Sequence, residues 1–225
     1  MAQVRSIRLA GLGAALLAAA CGGGGGAGGM GPCTPGAATQ LVKTTGDPGP
    51  WYFNNPLPGA LSVTARDASG CPVPGVAINW AVASGDGAVS PAQSTTSASG
   101  VATTADSLGS APLQTVTATF TGLPTPVTFS ASAGTPPTTA GVTVSNNNFS
   151  PDNSVIQTGG TVTWTWAVGA VAHNVTFTSG PSPLPANSPT QNTGSYPATF
   201  TTVGTYAYHC TIHPTQMTGS VKVIH

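Results

Sequence analysis

The segment GTVTWTWAV, residues 160–168, alternates apolar and hydroxyl-bearing side chains, with Val162, Trp164, Trp166 and Val168 on one side and threonines on the other. A period of two sends successive side chains to opposite faces of an extended chain, which a helix cannot use to make one apolar stripe. The same alternation recurs at Leu61, Val63 and Ala65, at Val76, Ile78, Trp80 and Val82, and at Val116, Ala118 and Phe120. It returns at Val142 and Val144, Val175 and Phe177, Tyr206 and Tyr208, and Val221 and Val223. Turn chemistry separates the earlier runs: DASG at 67–70, SGDG at 84–87 and SASG at 97–100. Short alternating strands spaced by such turns predict an all-β chain of two β-sandwich domains in tandem, each closing two sheets over one core. Trp164 and Trp166 are expected in the second core.

Without that alternation the composition would suggest disorder. The chain has 30 Gly and 21 Pro, only 4% charged residues and no Glu. Its formal net charge is zero with no basic cluster, so there is no electrostatic basis for binding nucleic acid or an anionic surface. At 225 residues there is room for a processed leader and two small domains.

Arg5 and Arg8 followed by the apolar run LAGLGAALLAAA form a secretory leader over residues 1–20, too short to span a membrane. LLAAAC, ending at Cys21, resembles a bacterial lipoprotein signal, which implies that Cys21 carries a lipid. The other reading is cleavage after the Ala-x-Ala of residues 18–20, leaving Cys21 a free thiol. Residues 21–37 then serve as a lipidated cysteine and Gly-rich tether. The expected location is the cell envelope, with contact to the membrane through the lipid anchor only. Export makes disulfides possible. Cys33 and Cys71 can pair, which the chain-entropy model values at roughly 4 kcal/mol, or both can remain thiols. Cys210 is left over.

Residues 38–134 carry VTARDASGCPVPGVAINWAVASGDGAVS followed by SASGVATTADSLGSAPLQTVTATF. This stretch resembles the bacterial Ig-like domain of invasin and intimin type, which implies a stalk or adhesive module. Asp47, Asp67, Asp86 and Asp106 read as turn and loop residues that keep it soluble. Residues 135–140, with two consecutive prolines, read as a short, semi-stiff linker. The second domain is expected over 141–225.

YAYHCTIHPTQM, residues 206–217, gathers His209, Cys210, His213 and Met217 in a chain with only four histidines and four cysteines. Cys210 continues the inward series of Tyr206 and Tyr208, so His209 points outward. His173 heads one strand and Cys210 ends another, and the loop TIHPTQM can return His213 and Met217 to the same point. A thiolate, two imidazoles and a thioether suit a copper ion that cycles between a cupric and a cuprous state. Zinc could use the same cysteine and histidines, but a thioether suits it poorly.

The constellation resembles the cupredoxins, the blue-copper proteins that include plastocyanin, amicyanin and azurin. The resemblance implies a Greek-key sandwich with one copper ion, His173, Cys210 and His213 as equatorial ligands and Met217 as the axial one. It places Asn174 beside the thiolate loop as a brace. The Cys-x2-His spacing is that of plastocyanin and amicyanin, whereas His-x3-Met is the azurin interval. The implied function is one-electron transfer with redox partner proteins, without enzymatic turnover. His209 is either a solvated residue or a coupling point one peptide bond from Cys210, as in copper enzymes that hold a second copper site. Removing His173 and His213 leaves only His209 and His225 for such a site, too few for one chain, and His225 reads as incidental. Two other functions fit parts of the sequence: copper delivery by the same ligands, or adhesion by the Ig-like domain.

Overall fold

The alternating runs become strands throughout residues 33–225, the part of the chain that the computed structural model describes. The leader, Cys21 and most of the tether lie outside these residues. Residues 34–225 form one compact unit, and no helix occurs among the described residues.

The first half contributes β1 (Gln40–Lys43), β2 (Trp51–Tyr52), β3 (Leu61–Arg66), β4 (Ala77–Ser84), β5 (Ala88–Ser90), β6 (Gln93–Thr95), β7 (Val101–Ser107), β8 (Leu113–Thr119) and β9 (Val127–Gly134). They pair as β1-β3-β7-β5 and β2-β9-β8-β4-β6. One core is built from both sheets, including Leu61, Val63, Ile78, Trp80, Val116 and Phe129. The second half contributes β10 (Thr139–Ser145), β11 (Asn148–Ser150), β12 (Asn153–Gln157), β13 (Thr161–Trp166), β14 (Thr176–Ser179), β15 (Ser195–Thr199), β16 (Gly204–His209) and β17 (Thr218–Ile224). These pair as β11-β10-β13-β15 and β12-β17-β16-β14 around a separate core that holds Trp164, Tyr206 and Tyr208. Trp164 meets Tyr208 edge to face at 5.1 Å between ring centres, a preferred aromatic arrangement. The tandem all-β sandwiches expected from the alternation are therefore present.

Local departures have physical causes. Val168 is fully exposed instead of continuing the buried series of β13. The strand stops at Trp166, and the chain turns over 167–170, with Ala170 N–H bonded to Ala167 O and Gly169 at φ 81°. β3 is buried on both faces, because Ser62 and Thr64 are covered as well as Leu61, Val63 and Ala65. Hydroxyls hold the neighbouring chain against that strand: Thr45 Oγ1 accepts from Ser62 N–H, and the Thr44 and Thr64 hydroxyls bond each other. Asp106, expected in a turn or loop, lies inside β7 and is buried, paired with Gln114 of β8 at 2.6 Å.

Two connections decide where the functional end lies. β13 leads through 167–172 to His173, just ahead of β14. β16 leads through residues 210–217 into β17. In the sheet, His209 pairs with both Thr176 and Thr218, so the start of β14, the end of β16 and the start of β17 share one end of the sandwich. Gly219 faces Tyr208 across the β16–β17 pair. A Cβ at that position would collide with the Tyr208 ring and with the carbonyl of Asp152.

Candidate metal centre

Cys210 follows the last residue of β16 and keeps its inward phase, so its side chain is fully buried while His209 stays half-exposed. The loop that follows is closed by its own main chain. Cys210 N–H donates to Met217 O at 2.9 Å, His213 N–H to Cys210 O at 3.2 Å and Met217 N–H to His213 O at 2.9 Å. These bonds curl residues 210–217 so that Met217 is buried and His213 is half-buried between exposed Ile212 and Pro214.

His173 reaches the same place from the other side. Its main chain makes a two-bond bridge with Gln191, N–H to O at 2.9 Å in each direction, and its side chain is fully buried. The strap of residues 187–191 extends this bridge along the edge that leads into β14. Ser188 N–H donates to Val175 O, Val175 N–H donates to Ser188 Oγ at 2.8 Å, and Phe177 N–H donates to Asn187 Oδ1 at 2.9 Å. Side chains here replace a partner strand, and so satisfy backbone groups that burial would otherwise strand.

The ligand-type atoms of His173, Cys210 and His213 all lie within 4.8 Å of one another. Cys210 Sγ is 3.7 Å from His173 Nδ1, and the two imidazole rings are 5.0 Å apart, tilted by 54°. A single ion with arms of about 2.0 Å to nitrogen and about 2.3 Å to sulfur, opened to about 120°, sets those two atoms about 3.7 Å apart. His213 Nδ1 is buried without a protein partner; His173 Nε2 is too, but it points away from the Nδ1 that faces Cys210 and does not reach the same ion. A stranded imidazole nitrogen beside a buried thiol is costly unless something else binds it, and a soft or borderline metal meets the chemistry of that donor set. Burial, and then the neighbouring His213, hold the His173 imidazole below its usual pKa, which keeps it neutral as a ligand must be.

Asn174 joins the two sides of the site. Its Oδ1 accepts from Thr211 N–H at 2.8 Å, and its Nδ2 donates to Thr211 Oγ1 at 2.7 Å and Thr190 Oγ1 at 3.1 Å. The residue after His173 thus grips the residue after Cys210. Thr190, Ser188, Gln191 and Thr211 escaped the sequence reading. The neighbour of Cys210 was the one available signal for Thr211, and nothing in the sequence marked the strap.

The remaining candidates fall elsewhere. His209 and His225 lie at opposite ends of the β16–β17 hairpin. Cys33 and Cys71 are each disulfide-bonded, as an oxidising compartment permits, whereas Cys210 is free.

The comparisons agree with this division of the chain. Residues 54–130 match the bacterial Ig-like domain (group 1), and residues 138–224 match the copper binding proteins of the plastocyanin/azurin family. Among solved structures, a reduced amicyanin mutant is 33% identical over 38% of this chain and 82% of its own, with a TM-score of 0.33. A purple cupredoxin from Nitrosopumilus maritimus is 32% identical over 38% of this chain and 99% of its own, with a TM-score of 0.32. No curated protein matches the chain. Both sandwiches are thus accounted for by family matches: the first is a bacterial Ig-like domain, and the second, over residues 138–224, belongs to the plastocyanin/azurin family of copper-binding proteins.

Proposed function

We propose that the protein is a mononuclear type 1 copper protein that passes single electrons in the cell envelope, tethered by a lipid on Cys21. The observation that carries this reading is the convergence of His173, Cys210 and His213 on one point, with His213 Nδ1 buried and unpartnered. Bound copper would supply a one-electron couple between its cupric and cuprous states. Cys210, His173 and His213 would hold it, with the thioether of Met217 as a further, weaker ligand.

The chain's own part is to keep these groups still. The main-chain bonds within 210–217 fix Cys210 and His213, the Gln191 bridge fixes His173, and Asn174 ties the two together. A site held this way changes little when an electron arrives. His213, half-exposed beside Ile212 and Pro214, is the group through which electrons would enter and leave. Between residues 140 and 225 the only formal charges are Asp152 and Lys222, so little charge is available to steer a redox partner. The opposite placement of His209 and His225 supports a carrier over an enzyme with a second metal site. In this reading Cys33 and Cys71 pair with each other.

Adding cupric ion to the purified whole chain tests the reading. The expected result is an intense visible thiolate-to-copper charge-transfer band that ascorbate bleaches and Cys210→Ser abolishes. A colourless complex with the unaltered chain would refute it. Copper that is taken up and handed on without electron self-exchange would indicate delivery instead.

A further inference from the structure

The end of the copper domain remote from Cys210 is engaged by the Ig-like domain. β17 begins at Thr218, opposite His209, and runs to Ile224, so at about 3.3 Å per residue its far end is roughly 20 Å from the candidate metal centre. Just past that end, the side chain of Asn55 grips the main chain of His225. His225 N–H donates to Asn55 Oδ1 at 3.0 Å, and Asn55 Nδ2 donates to His225 O at 2.9 Å. Asn55 is only 1% exposed, and Nδ2 also donates to Phe53 O at 2.6 Å. Among the described residues, His225 is the only partner of Oδ1, so separating the domains would strand a buried amide unless water replaced it. Lys222, one of the two charges in the copper domain, sits 5.1 Å above the Trp51 ring of the Ig-like domain.

The connection is short and held from both sides. Trp51 and Tyr52 pair with Ala133 and Gly134 at the end of β9, and Phe53 N–H donates to Gly134 O at 2.9 Å. On the other side, Gln157 N–H donates to Pro137 O at 2.8 Å and Thr161 N–H to Thr138 O at 2.9 Å. Because β10 begins at Thr139, only residues 135–138 lie between strands. Pro136 is buried, and the rings of Pro136 and Pro137 fix φ at both.

We infer that the Ig-like and copper domains move as one rigid body, the segment of residues 51–55, β2 and the turn after it, being a built docking surface for the far end of the copper domain. The Ig-like domain is then a fixed pedestal instead of a spacer on a hinge, and the candidate metal centre points away from it. This holds whether or not a metal binds, because every contact in it belongs to the polypeptide.

Nitrogen-15 relaxation on the whole chain tests the inference. Amides of both domains are expected to report one rotational correlation time. With Asn55→Ala and Lys222→Ala together, the domains should report separate times, each roughly halved, as linked but independent domains do. Two different times in the unaltered chain would overturn the inference. So would a single, unchanged time in the double variant. If Asn55→Ala unfolds the Ig-like domain, deletion of His225 combined with Lys222→Ala removes the same contacts without altering that domain, and the same outcomes decide.

Discussion

The two sandwiches are made from the same alternating strands and differ in where their polar groups find partners. In the Ig-like domain the carboxylates are used locally. Asp67 accepts from the Gly36, Ser69 and Cys71 amides, and these bonds, led by that of Gly36, lower its pKa. Asp86 accepts from the Ser110 hydroxyl and the Ala111 amide, with the same direction of shift. Both carboxylates hold loops in place. In the copper domain His213 Nδ1 has no partner, and it stands with the His173 ring and a buried thiol at one end. Other orphaned groups, such as the indole nitrogens of Trp164 and Trp166, lie on the β13 face that lines the core and bring no further ligand-type group with them. The difference teaches that the sandwich itself is neutral as to function. What distinguishes the second one is the loop of residues 210–217 and the strap against which His173 is fixed.

Asn174→Ala should break this contrast most. It removes three hydrogen bonds, each worth about 1 kcal/mol net, and strands the Thr211 amide. The copper domain is expected to lose about 2–3 kcal/mol in denaturant unfolding and to release copper faster, while the unfolding of the Ig-like domain, followed through its own amides, stays put.

A counterpart lies in the Ig-like core. Burial raises the Asp106 pKa to about 6, with the Gln114 bond opposing it. A raised folded-state value means that this carboxyl's stabilising contribution is full below its unfolded pKa near 3.8 and is lost as the pH rises through about 6. The Ig-like domain should therefore weaken between about pH 4 and pH 7. Asp106→Asn should flatten that slope and add on the order of 2 kcal/mol at pH 7, since its amide can also meet the stranded Gln114 Oε1. Unchanged pH-dependent melting in the variant would refute this.

Ser188→Ala sharpens the comparison at a smaller scale. It takes the acceptor from Val175 N–H and should cost about 1–2 kcal/mol in the copper domain alone, read by the same unfolding experiment. The smallest effect expected is that of salt. The rate of electron exchange with a redox partner should change little between low and high ionic strength, because Asp152 and Lys222 are the only charges in the domain and Lys222 is turned to Trp51.

Strand faces were legible because period two is a direct image of the pleat. The buried residues Val162, Trp164 and Trp166 follow it, and Val168 breaks it where the strand ends. Cys210 was legible for the same reason, as the next inward position after Tyr208. Asp106 was misread because a lone acid among threonines resembles a turn, and only the neighbouring strand, with Gln114, shows that it is buried. The strap stayed invisible. Ser188, Thr190 and Gln191 belong to a proline-rich stretch without periodicity, and serine and threonine are too frequent in this chain for any one of them to stand out.

Gly219 carries a consequence for how such a chain can change. Tyr208 occupies the space that any side chain at 219 would need, and Tyr208 is two residues from Cys210 on the same inward face. Methylating this one spot would press on the phenol, and the displacement would travel along β16 to the sulfur. Relatives that retain a bulky ring at the position of Tyr208 should therefore keep the opposite site bare, and a smaller residue there would relieve only one of its two obstacles, since the Asp152 carbonyl stays in place.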